Sequence, residues 1–80
     1  VAPQALALLN SDMMEKAAIA LAARFEDVVP RTQIEQLYAH VLQRPPSDQE
    51  MERCRAYLQE HGLPALARVL LNLNEFIFID

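Results

Sequence analysis

The sequence predicts an all-α fold, a small bundle of four to five short helices with no β-sheet. Apolar residues recur at three- and four-residue spacings in several windows. Two of those windows follow a Ser/Thr-x-x-Glu pattern, which signals a helix start. The 80 residues include a single glycine, too few for the turns of a β-sandwich or barrel. Hydrophobic residues make up 52% and charged residues 22%, a globular balance rather than a disordered one. A chain this short buries roughly 63% of its unfolded surface, enough for one small core. Residues 1–80 therefore read as a single helical domain.

Ala2 to Asn10 form the first expected helix, with Pro3 in its first turn and Asn10 at its end. Ser11 is expected to cap a second helix, whose stripe is Met14, Ala18, Leu21, Phe25 and Val28, and Pro30 ends it. Thr32-Gln33-Ile34-Glu35 then has the pattern of a capping box. It opens a third helix with Ile34, Leu37, Tyr38, Val41 and Leu42 on one face. Pro45-Pro46 stop that helix and force Arg44 out of helical conformation. Ser47-Asp48-Gln49-Glu50 is a second capping box. Its helix places Met51, Cys54, Leu58 and His61 on one face, with Tyr57 beside them. Gly62 stands where a left-handed C-cap is expected, and Pro64 fits the first turn of a fifth helix with Leu66, Val69, Leu70 and Leu73 inward. In Asn74 to Asp80, four consecutive apolar residues cannot share one helix face. They form an extended tail or a surface that another segment covers.

Several function classes fit the residues poorly. Seven Lys and Arg against eleven Asp and Glu give net −4, which argues against a nucleic-acid surface. No apolar run reaches the ~20 residues of a membrane span. Cys54 has no second cysteine for a disulfide. Cys54 and His61 stand seven apart on one helix, and a metal would need three or four, so no metal or other cofactor is expected. Ser11 and Ser47 are better explained as caps than as nucleophiles, so no catalytic residue is assigned and no enzyme is expected within these residues. Glu50, Glu52, Arg53 and Arg55 read as a solvated helix face. Arg44, at a forced break with five donors in a planar fork, reads as an anchor of its corner.

Three segments carry a resemblance. Pro3 to Ser11 resembles the PLQALxLLN stretch of a planctomycete family. Ile34 to Ser47 resembles its RIxxLYxxxLGRPPT stretch, and Leu70 to Phe76 its LLNxNEF ending. The family is the domain of unknown function 1553. This resemblance implies a fragment of a longer, exported planctomycete protein, one that often carries a cytochrome-c-like domain, and this fragment would sit near its C-terminal end. It supplies no catalytic residues. Gln43 replaces the family's usual glycine, which puts a glycine-type C-cap there in doubt. The second half also resembles the helical repeat of phycobilisome-linker-like domains.

The expected function is therefore a structural and interaction module whose partners are other domains of the parent. The candidate residues are Arg44, Asn72, Asn74, Glu75, Phe76 and Phe78. Deleting Asn74 to Asp80 would test whether the tail docks on the parent. The alternative is a wall of a catalytic or electron-transfer site formed with other domains, with Arg44, Asn72, Asn74 and Glu75 facing it. Arg44 is expected to meet Glu75 or the carbonyls around Asn72, locking the third helix to the fifth.

Overall fold

A computed structural model describes residues 11–74. They form α1 (Ser11–Ala23), α2 (Pro30–Leu37), which runs on into a π-helical turn (Tyr38–Leu42), α3 (Asp48–His61) and α4 (Leu63–Asn74). Helix accounts for 81% of the described residues, and none of them lies in a strand. The all-α bundle expected from the periodicity is the fold. The helix expected over residues 2–10 lies outside the described residues, and Ser11, expected as the cap of the second helix, is the first described residue and is itself helical.

α1 buries Met14, Ala18 and Ala22, a stripe at four-residue spacing, against α4. Two of the three are alanines, and small side chains at a contact let helix axes approach. Across the same pair, Arg68 Nη1 donates to Glu15 Oε1 at 2.6 Å. That exposed ion pair contributes about 0.2–1 kcal/mol. α1 ends at Ala23, earlier than its apolar stripe predicts. The backbone tightens into turns there, with Arg24 N donating to Leu21 O and Phe25 N to Ala22 O. Phe25 still packs on the core, but Val28 is 40% exposed.

α2 also starts differently. Its N-cap is Val29, in extended conformation and without a side-chain cap, and Pro30 is the first helical residue. Pro30 therefore begins α2, and the expected Thr32 capping box does not form, because Thr32 already lies inside the first turn. Proline disfavours helix in the residue before it and tolerates first-turn position, so the boundary sits at Val29–Pro30. The inward face is as expected: Ile34, Leu37, Tyr38 and Val41 are buried, and Leu42 packs against them.

The core joins these residues to Met51 and Cys54 of α3 and to Leu63, Leu66, Ala67 and Leu70 of α4. Ile34, Leu37, Leu66 and Leu70 are the largest fully buried side chains. Each contributes about 1.5–3 kcal/mol relative to exposure. Two expected inward residues turn outward: His61 is exposed, and Leu73 is 54% exposed. His61 stands in the last turn of α3, beyond the reach of the core. Gly62 has φ 92° and ψ 166°, positive but not left-handed helical as expected. This is a region essentially reserved for glycine.

Candidate functional site

The most organised polar cluster is the corner between α2 and α3. The π-helical turn ends with Gln43 N donating to Tyr38 O at 2.8 Å, and Gln43 itself takes φ 58°, ψ 34°. The left-handed C-cap conformation is thus present without glycine. The chain bends at Arg44 and passes through Pro45 and Pro46 outside any helix, and Ser47, in extended conformation, then caps α3. Glu50 N donates to Ser47 Oγ at 3.1 Å, and Ser47 N donates to Glu50 Oε1 at 2.8 Å. This is the capping box expected from the sequence.

Arg44 completes the corner. Its Nη1 donates to Glu50 Oε1 and its Nη2 to Glu50 Oε2, each at 2.8 Å, and Nη1 also reaches Pro45 O at 3.1 Å. The guanidinium lies over the Tyr38 ring, 5.4 Å from its centroid. A two-pronged pair of this kind fixes direction as well as distance. The Arg44 guanidinium and then the Ser47 amide hold the Glu50 carboxyl at about 2, well below its ordinary 4.5. Arg44 is pushed up, first by its hydrogen bond to Glu50. Glu50 is therefore not simply part of a solvated charge run. It serves the helix cap and the arginine at once. The capping spacing identified Glu50, and the Pro-Pro break identified Arg44. What the sequence did not show is that the break folds Arg44 back over the first turn of α3.

Beneath this corner the Cys54 thiol donates to the Tyr38 hydroxyl across 3.8 Å, and both residues are buried. Burial pushes both the Tyr38 hydroxyl and the Cys54 thiol up. A thiol needs its thiolate form to attack or to ligate, and this environment disfavours that form. The two histidines lie elsewhere. His40 Nδ1 donates to Gln36 O at 2.9 Å, with its ring 5.3 Å from that of Phe25. The His61 ring lies 4.4 Å from Tyr57. Among the described residues, no group of three or more His, Cys, Asp or Glu could hold a metal ion. No helix among them is long and apolar enough to cross a membrane.

A groove of about 360 Å³ runs between α3 and α4, lined by Tyr38, Glu50, Arg53, Cys54, Tyr57, Leu66, Val69, Leu70 and Leu73. Its walls are apolar and aromatic, with the two charged residues both on α3. Chemically it offers a surface for packing, and the Tyr38 hydroxyl and Cys54 thiol in it already serve each other. Asn72 is exposed on α4. Asn74 is the last described residue of α4, and the expectations for its side chain and for Glu75, Phe76 and Phe78 lie outside the described residues. The expected Arg44–Glu75 contact is among them; the alternative, Arg44 on the carbonyls around Asn72, does not form, and among the described residues Arg44 donates to Glu50 and Pro45 O instead.

The fold and the corner define a small all-α domain whose best-ordered polar cluster joins two helices. The sequence model of the family described as "Protein of unknown function (DUF1553)" matches residues 1–58. The chain belongs to that family, PSD1. The match spans the first two of the three resembling segments. No curated protein and no solved structure matches the chain.

Proposed function

We propose that this chain is a structural and interaction module of a longer, exported protein, packed through its helices against neighbouring domains. The observation that carries this reading is α1. From Ala17 to Ala23 it has no polar side chain, yet its buried stripe is only Met14, Ala18 and Ala22. Ile19, off that stripe, is 50% exposed. A helix that is apolar all round is ordinarily covered all round. The occupant assigned to the open side is a neighbouring segment of the same longer protein, since an apolar run, Ala5 to Leu9, stands close before α1 in the sequence, separated from it by Asn10. The corner at Arg44 supports the same reading over a catalytic one. Both terminal nitrogens of its guanidinium are engaged by Glu50, inside the domain.

The test is association of the chain with the remainder of the longer protein, for the natural sequence and for Ile19→Glu. The expected result is unchanged helical circular dichroism with binding about ten-fold weaker or more. Equal binding by a folded Ile19→Glu chain would overturn the reading.

A further inference from the structure

We propose that the groove between α3 and α4 is a binding site for a medium-chain carboxylic acid, with the alkyl chain along its apolar walls and the carboxylate on Arg53. This goes beyond the interaction reading and uses a different surface, the α3–α4 side rather than the open side of α1. Small-molecule sites are mostly apolar clefts of about 300–1,000 Å³ with a few polar groups that orient the ligand. This groove, at about 360 Å³, is of that kind. Its floor is buried, with Leu66 and Leu70 each 2% exposed. Its rim is open, with Tyr57 and Val69 half-buried and Leu73 54% exposed.

Charge and length select the ligand. Glu50 and Arg53 are the charged residues that line the groove. Both carboxylate oxygens of Glu50 are taken by Arg44, and Oε1 also by the Ser47 amide. The Tyr38 hydroxyl and the Cys54 thiol are taken by each other. Arg53 is exposed and has no ion pair among the described residues. The groove therefore presents one uncompensated charge, a cation, beside apolar walls. An arginine lays its stem along such a wall and holds its five donors at the edge, in a fork that fits a carboxylate. A neutral apolar ligand would leave that fork unused, and an apolar cation would be repelled by it. On α4 the wall runs from Leu66 to Leu73, a rise of about 10 Å. With C–C bonds of about 1.5 Å in zigzag, a chain of about eight carbons covers that length.

The chain contains no tryptophan, and both of its tyrosines, Tyr38 and Tyr57, line the groove, so tyrosine emission reports on this site. The probe is octanoate, titrated into the 80-residue chain at neutral pH and constant salt. The expected result is a saturable change in emission, half-complete at about 1 mM or below, with helical circular dichroism unchanged. No saturable change, or a loss of helicity in its place, would overturn the proposal. Arg53→Gln is expected to weaken octanoate about three-fold or more, and to leave unchanged the binding of 1-octanol, the same tail without the charge. Equal octanoate binding by this variant, or equal weakening of acid and alcohol, would also overturn the proposal. Leu73→Ser is expected to weaken both ligands, and an effect on neither would place the ligand elsewhere and overturn the site. Arg53 and Leu73 are both exposed, so both variants are expected to keep the fold. Ile19→Glu, on α1, is expected to bind octanoate as the natural chain does, so this site and the interaction reading can fail separately.

Discussion

The two corners that flank α3 turn the chain by different means. Between α3 and α4 the whole turn is Gly62, whose amide donates to Leu58 O at 2.8 Å. An added Cβ there would meet only Pro64 Cδ, at 3.9 Å, so φ 92° and not lack of space requires the glycine. Between α2 and α3 the turn takes five residues, Gln43 to Ser47, and side chains hold it: the Arg44–Glu50 fork, the Ser47 box and the Tyr38 ring. One corner depends on backbone freedom at a single residue. The other holds a non-glycine residue in left-handed conformation, surrounded by charge-assisted hydrogen bonds. The difference teaches that a sharp turn can rest on one residue's conformational freedom or on a network, and that only the network responds to pH.

Leu70→Ala sets the scale for both corners, because it empties the core beneath them. It is expected to lower stability by about 2–5 kcal/mol in urea denaturation, enough to unfold much of so small a domain. A smaller loss would mean that the core is not shared. Next comes Gly62→Ala, expected to cost about 1–3 kcal/mol through backbone conformation alone. A neutral result would show that this corner relaxes freely and would remove the contrast. Gln43→Gly should act in the opposite direction, with a gain of up to about 1 kcal/mol as the left-handed strain is relieved, less the extra freedom of glycine in the unfolded chain. A loss would instead show that the Gln43 side chain helps to hold the turn.

The smallest effect is the response to acid. The carboxyl of Glu50 is depressed in the fold, so its contribution is fully present above its ordinary 4.5 and is lost as pH falls from there toward about 2. Melting temperature measured across that window should fall less steeply for Glu50→Gln than for the natural chain. Parallel curves would mean that the Arg44–Glu50 fork contributes nothing to stability in solution.

Helix type and core face were legible wherever periodicity ran long. Ile34, Leu37, Tyr38 and Val41 were read correctly because four inward residues at helical spacing leave no strand alternative. Boundaries were less legible where two signals competed. Pro30 and the Thr32 box lie two residues apart, and a proline both permits a first turn and forbids helix before it, whereas a hydroxyl caps only from outside the helix. The stripe on α1 continued in sequence through Phe25 and Val28 after the backbone had already turned, since apolar spacing does not record where hydrogen bonding stops. At the candidate site, Ser47, Glu50 and Arg44 were each legible alone. Their union was not, because it depends on the path through Pro45-Pro46, and spacing rules for helix neighbours do not cross such a break.

The pairing of α1 with α4 has a consequence for the order of events during synthesis. Glu15 and Arg68, 53 positions apart, mark a contact that joins the first described helix to the last. α2 and α3 pack against each other across a short corner, so they can associate early, while α1 waits for Leu63 to Leu70. Loop-closure entropy grows only slowly with length, so the wait costs little at equilibrium. Its price is kinetic, since non-local contacts form late. A nascent chain halted before Leu63 shows Met14, Ala18 and Ala22 to water, and the ribosome-bound intermediate is exposed to aggregation until α4 emerges.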